Sequence, residues 1–268
     1  MTQTLCIANQ KGGVGKTTTA INLASALALT GQRVLLADLD PQANATSGLG
    51  LFDATHRAPI YPMLLGERSV QETIATSPSA GVDVLPSGPD LVGAEIELQN
   101  TEHRANALKT ALKALDQSYD FVIIDCPPSL GMLTLNALVA AKHLLIPLQT
   151  EYFALEGISA LMRTLAAIRG NEHPDLNLLG IVLTLFDRRN RIAHQVADEA
   201  RTHFGDAVFE TYIPRNVRLA EAPSHGLSAL HYDLSCAGSL AYLALADELL
   251  SRIEHFAPLS PTPRHAPH

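Results

Sequence analysis

Only three cysteines occur among the 268 residues, Cys6, Cys126 and Cys236. They are odd in number, far apart along the chain and without C-x-x-C spacing, which argues against a disulfide framework or a thiolate metal site and for a reducing compartment. Each stands in a mostly apolar run and reads as a small buried hydrophobe. No apolar run reaches membrane-spanning length, and no basic segment followed by an apolar one opens the chain, so a cytoplasmic location is expected. Basic residues are scarce: 19 Lys and Arg against 27 Asp and Glu, a formal charge of −8. That balance excludes a globally basic nucleic-acid binder while leaving room for a local basic patch. Arginines outnumber lysines, and arginine is the better phosphate-recognition residue. No internal repeat and no Gly/Ser-rich linker divides the chain, and 47% apolar residues suffice for a large core. One domain over residues 1–255 is expected, followed by a Pro/His tail, 256–268, too rich in proline to hold a helix and expected to be disordered.

What is present is concentrated near the start. An apolar run, 5–8, leads into the sequence NQKGGVGKTT, residues 9–18, and a helix-like pattern follows over 19–29. A strand, a glycine loop and a helix start form a phosphate cradle: Gly12, Gly13 and Gly15 let the backbone turn its N–H groups onto phosphate oxygens at the positive end of a helix dipole. Gly12, Gly13, Val14, Gly15, Lys16, Thr17 and Thr18 are therefore candidate nucleotide-binding residues. Lys16 is suited to the β- and γ-phosphates and the Thr17 hydroxyl to a Mg²⁺ bridging them. The strict pattern G-x-x-x-x-G-K-[ST] is missed by one residue, because Gln10 stands where its first glycine falls. A second lysine, Lys11, lies five positions before Lys16, and the whole chain holds only five lysines.

Two carboxylates belong with this loop. Residues 33–38 form a short apolar strand ending in Asp38-Leu39-Asp40-Pro41-Gln42, which brings Asp40 to the edge where parallel sheets bind ligands, able to orient water or hold Mg²⁺ through water. Residues 119–125 form the clearest strand and end in Asp125, a Walker-B pattern that holds a Mg²⁺ hydration shell opposite Thr17. Further strands are expected at 81–86, 143–148, 176–185 and 208–213. Helices are expected at 94–115, with Ile96, Leu108, Leu112 and Leu115 on its apolar side, at 130–140, from about 149 to 169, at 192–204, and at 238–253 with Leu240, Leu243, Leu245 and Leu249. Short helices and loops fill 44–79, and 214–226 reads as a surface loop. Strands alternating with helices imply an α/β fold, a parallel-stranded doubly wound sheet covered on both faces.

KGGVGKTT with its second lysine resembles the deviant Walker-A motif of the ParA/MinD ATPase superfamily. DxDPQ, IIDCPPSLG, EYxALEG and PRNVRLxEAPSHG, beginning at residues 38, 123, 151 and 214, stand in the order and spacing of the ParA/Soj chromosome and plasmid partition ATPases. The resemblance covers about residues 3–254. It implies a P-loop NTPase fold and ATP with Mg²⁺ as cofactors. It implies that Lys11 reaches across an ATP-bound sandwich homodimer, that hydrolysis depends on Asp40, and that Pro214 and Asn216 border the adenine. Arg189 and Arg218 match arginines that bind double-stranded DNA without sequence preference. A ParB-like centromere-binding protein is the implied partner, and the nucleoid the implied location. Ser235 and Ala237 replace basic residues of many relatives, which implies weaker DNA affinity. No helix-turn-helix segment precedes the motif, so operator repression is not expected.

Two further readings compete. A MinD-like membrane switch, or a positioner of protein cargo, would use the same ATPase; residues 251–268 lack a basic amphipathic helix, so stable membrane association is not expected. A nitrogenase-type iron protein would need a cysteine pair from each subunit, which Cys6, Cys126 and Cys236 do not suit.

Overall fold

A computed structural model describes residues 2–56, 60–78, 81–99, 104–115, 118–151, 162–163, 165–167, 170 and 176–255. Eight strands form one sheet: β1 Gln3–Ile7, β2 Val34–Asp38, β3 Ala75–Thr76, β4 Asp83–Leu85, β5 Phe121–Asp125, β6 His143–Gln149, β7 Asn177–Phe186 and β8 Val208–Pro214. Their order is β3-β4-β2-β5-β1-β6-β7-β8. All neighbours are parallel except β3, a two-residue edge strand that runs antiparallel to β4.

The helices between them are α1 Lys16–Leu29, α2 Asn44–Gly48, α3 Ile60–Leu64, α4 Val70–Thr73, α5 Leu91–Gln99, α6 Ala107–Lys113, α7 Met132–Ala140, α8 Arg191–Phe204, α9 Val217–Glu221, α10 Ala229–Tyr232 and α11 Ala237–Glu254. Successive strand residues face opposite sides. Leu5 and Ile7 of β1 therefore join one core cluster with α1 and α11, while Cys6 and Ala8 join another with α5, α6, α7 and α8. Burial on both faces is why the central strands read as unbroken apolar runs. Alternation also explains the thiols: Cys6 and Cys126, distant in sequence, point to the same side of adjacent strands, and their sulfurs lie 3.4 Å apart with both residues fully buried.

Four expectations change. The helix expected at 94–115 is two, α5 and α6, with 104–106 in a turn. The reason lies in α7, where the buried Asn136 donates to the Arg104 carbonyl (2.6 Å) and accepts from the Leu108 amide (3.2 Å), satisfying the backbone at the break. Ile96 consequently faces solvent, 66% exposed. On α11 the buried stripe is Tyr242, Leu245, Ala246 and Leu249, and Leu240 lies outside it on the exposed side. Residues 217–225 are not a loop: α9 and a 3₁₀ turn, Ala222–His225, occupy them, with the Asn216 side chain capping α9. The third cysteine, Cys236, caps α11 through the Ser239 amide. The helix expected at 149–169 falls largely outside the described residues, with 162–163 and 165–167 helical, and the tail 256–268 lies outside them as well. Among the described residues no helix is long and apolar enough to cross a membrane.

Because Asn136 satisfies buried backbone groups on another helix, Asn136→Ala should destabilise the protein by about 2–3 kcal/mol in chemical denaturation. A loss below ~0.5 kcal/mol would mean that the α5–α6 break does not depend on this side chain.

Candidate active site

The site lies at the C-terminal ends of the three central strands. Strand register sets Ile7 of β1, Asp125 of β5 and Asp38 of β2 at one level, so two carboxylates stand side by side, each fully buried. From the end of β1 the chain enters the glycine loop. Asn9 ties the loop to the sheet: its Nδ2 donates to the Pro147 carbonyl of β6 (2.7 Å) and its Oδ1 accepts from the Lys11 amide (3.0 Å). At the other end the Thr184 hydroxyl donates to the Val14 carbonyl (2.8 Å). Gly13 and Gly15 have φ of 75° and 85°, left-handed values that cost an L-residue roughly 1–2 kcal/mol.

Helix α1 starts at Lys16, earlier than the apolar pattern indicates, and Gly15 provides no side chain to cap it. The first-turn amides of Lys16, Thr17 and Thr18 thus open onto a cleft of about 400 Å³ lined also by Gly12, Gly13, Gly15, Asp40, Gln42, Asn44, Pro128 and Leu185. An uncapped helix start with a glycine loop before it is an anion site. A second recess, about 100 Å³, adjoins it through Gly15, Thr18 and Leu185 and is lined by Pro214 and Asn216, so those two residues sit beside the phosphate cleft.

The charged groups separate by environment. Asp38 accepts from the Thr46 hydroxyl (2.7 Å), the Thr46 amide (2.8 Å) and the Asp40 amide (3.1 Å). Burial nevertheless raises its pKa to about 6, against the effect of those hydrogen bonds. Asp38 is thus a scaffold residue that shapes the turn carrying Asp40. The Asp40 side chain accepts from the Gln42 amide (3.0 Å) and its carbonyl accepts from the Ser87 hydroxyl (2.7 Å), which fixes the residue in the cleft wall.

Asp125 differs from both, since among the described residues neither of its oxygens has a partner in full hydrogen-bond geometry, the Thr17 side chain being the nearby donor that favours its ionised form. Burial first and the neighbouring Asp38 second push its pKa well up, while Thr17 and Lys16 act in the opposite direction. A buried, unsatisfied carboxylate facing a threonine hydroxyl and an ammonium fits a hydrated divalent cation, with Thr17, Asp40 and Asp125 as the residues to hold it. Lys16 donates to the Lys11 carbonyl (3.1 Å), and its own burial lowers its pKa while Asp125 raises it. Lys11 is absent from the cleft lining; its ammonium lies 3.1 Å from Glu151 at the loop's outer rim.

Arg189 and Arg218 are away from this cleft. Arg189 is 90% exposed in its side chain and pairs with Asp187 (3.1 Å), and it borders a groove shared with Arg188 and Arg215. Arg218 pairs with Glu221 (2.8 Å) and Asp233 (3.4 Å). Ser235 donates to Asp233 (2.8 Å). No separate role is read from the sequence for Asn9, Asp38, Thr184 or Glu151, although Asn9, Asp38 and Glu151 each open a motif named above; Thr184 carries no local signal.

Phosphate loop, strand-terminal acids and parallel sheet together define a nucleotide-binding protein of the P-loop class. A family model described as an AAA domain matches residues 2–178. The chain is 53% identical over 250 residues to the chromosome partitioning protein ParA of Caulobacter vibrioides, covering 92% of this chain and 94% of that one. It is 48% identical to the sporulation initiation inhibitor protein Soj of Bacillus subtilis, covering 93% and 98%. Among solved structures, that of cobyrinic acid a,c-diamide synthase from Mycobacterium smegmatis, with bound ATP analog and magnesium, superposes with a TM-score of 0.84 at 38% identity, covering 95% of this chain and 97% of that one. The chain belongs to the ParA/Soj family of partition ATPases.

Asp125→Asn should stabilise the ligand-free protein, by about 1–3 kcal/mol, because it removes an unsatisfied buried charge beside Asp38. The same variant should lose the extra thermal stabilisation that Mg²⁺ adds to a nucleoside triphosphate. A ligand-free variant that melts below wild type would show that Asp125 is bound into the fold by contacts other than those described.

Proposed function

We propose that this protein is an ATP-hydrolysing partition switch: with ATP and Mg²⁺ it forms a sandwich homodimer, binds double-stranded DNA without sequence preference on the nucleoid, and returns to the monomer when a ParB-like centromere-binding protein stimulates hydrolysis. The observation that carries this reading is the division of labour between the two lysines. Lys16 leans over the cleft, where it serves the chain's own β- and γ-phosphates, whereas Lys11 lies on the outer rim, where it serves a nucleotide held by a second copy. Thr17, Asp40 and Asp125 would hold Mg²⁺, which would neutralise phosphate charge. Asp40, fixed in the wall by Gln42 and Ser87, orients the attacking water. Pro214 and Asn216 flank the base. Phosphoryl transfer leaves the protein mainly positioning and charge stabilisation to supply.

The names of the similar proteins diverge, partition for the curated relatives and cobyrinic acid amidation for the solved structure just described. Partition is supported by the higher identity, 53% against 38%. Lys16→Ala should abolish ATP binding. Lys11→Ala should bind ATP but lose dimerisation and stimulated hydrolysis, and Asp40→Ala should bind ATP and accumulate as a dimer, both read by size-exclusion chromatography. Hydrolysis that responds to cobyrinic acid and not to DNA with a ParB-like protein would replace partition by the amidation reading.

The DNA surface is assigned to Arg189 and Arg218. Their carboxylate partners are partly exposed, and pairs open to water in this way contribute little, roughly 0–1 kcal/mol, so DNA phosphates can displace them. Dimerisation places two such patches on one face and about doubles the phosphates neutralised; affinity then falls steeply with salt, by about 0.9 in log K per phosphate for each unit of log salt. Arg189→Glu and Arg218→Glu should each dimerise with ATP and retain mixed-sequence duplex at least about tenfold less well than wild type. Dimers of both variants that hold DNA like wild type would move the surface elsewhere and favour positioning of a protein cargo.

A further inference from the structure

The phosphate loop contains an ion pair that binding of its own nucleotide does not require. Lys11 Nζ lies 3.1 Å from Glu151 Oε2, and the Gln149 side-chain amide donates to the other oxygen, Oε1. Both halves are held by one strand. Gln149 ends β6, and Asn9, two residues before Lys11, is bonded to Pro147 of that strand. Lys16 meanwhile donates to the Lys11 carbonyl, so the two ammonium groups are separated by the loop backbone. The pair is half in water, with side chains 38% and 50% exposed.

We propose that Glu151 is a positioning residue that latches Lys11 within its own chain and sets the threshold for self-association. The inference rests on the reading of Lys11 as the cation given to a second copy. While latched, Lys11 has a carboxylate for a partner and is neutralised; to serve the second copy's nucleotide it must leave Glu151. A half-exposed pair of this kind shifts an equilibrium by about fivefold at most. A triphosphate with several negative charges outcompetes one carboxylate, whereas weaker anions do not. Two lysines are released per dimer, so the latch enters twice, an effect of at most about twenty-fivefold on the dimer equilibrium. Glu151 thereby makes dimerisation depend on the full charge of the nucleotide.

The test is sedimentation of the full chain with a non-hydrolysable ATP analogue and Mg²⁺, at low salt and at about 1 M salt, where the screening length is about 3 Å. Glu151→Gln keeps the side-chain shape and its hydrogen bond with Gln149 but removes the charge. It should associate about five- to twenty-fivefold more tightly than wild type at low salt, with the ratio approaching one at high salt. Glu151→Asp should stay near wild type, and Glu151→Gln should add nothing in a Lys11→Ala background. Unchanged or weaker association of Glu151→Gln, or an equal gain without Lys11, overturns the latch. If Lys11→Ala alone associates like wild type, the reading of Lys11 falls and the inference with it; a monomeric Lys11→Ala beside an unchanged Glu151→Gln overturns the latch alone.

Discussion

Two buried carboxylates in register at the end of a parallel sheet are the constraint around which this site is built. Asp38 and Asp125 are register partners on adjacent strands, and both are fully buried. Like charges in that position cannot both be cheap. The chain treats them unequally. Asp38 receives three hydrogen bonds from the turn it supports, while among the described residues Asp125 has no partner in full hydrogen-bond geometry and is favoured in its ionised form by the nearby Thr17 and Lys16. The first carboxylate is thereby committed to structure, and the second is left demanding a cation. Strain of this kind is stored where function uses it.

The same logic governs the loop. A helix start without a cap, two glycines each fixed in one of many open conformations and a buried lysine are each unfavourable in an isolated chain. They persist because Asn9 and Thr184 fasten the loop to β6 and β7, on the two sides of the turn. The sheet therefore supplies rigidity to a segment whose own preferences would scatter it.

What the sequence made legible follows sequence distance. Apolar runs ending in Asp38 and Asp125 gave the central strands and their acids, because a strand buried on both faces has no polar alternation to hide it. The α5–α6 break was not legible: the apolar spacing continues through Ile96 to Leu108, and the residue that permits the break, Asn136, lies about thirty positions away on another helix. The anchors Asn9 and Thr184 were hidden likewise, their partners being 138 and 170 residues distant. Arg218 is the converse case. Its partner Glu221 is three residues on, within reach on any helical turn, and the possibility of that pair could be read directly.

The ion pairs at the rim form a set distinct from the buried charges. Lys11 with Glu151, Arg189 with Asp187, and Arg218 with Glu221 and Asp233 are all intramolecular, and each has at least one half-exposed or more exposed member. Every cation assigned to a second molecule is thus neutralised by its own chain. An exposed pair contributes at most about 1 kcal/mol, so a phosphate replaces the carboxylate at small cost. Burying these pairs would have changed that balance, since removing one partner from a buried pair costs about 3–5 kcal/mol. Weak, exposed pairing keeps an acidic chain from binding polyanions with any single cation while letting several act together. On the proposed reading, in which these cations bind a second nucleotide and DNA and then release them, low individual strength is the property that matters.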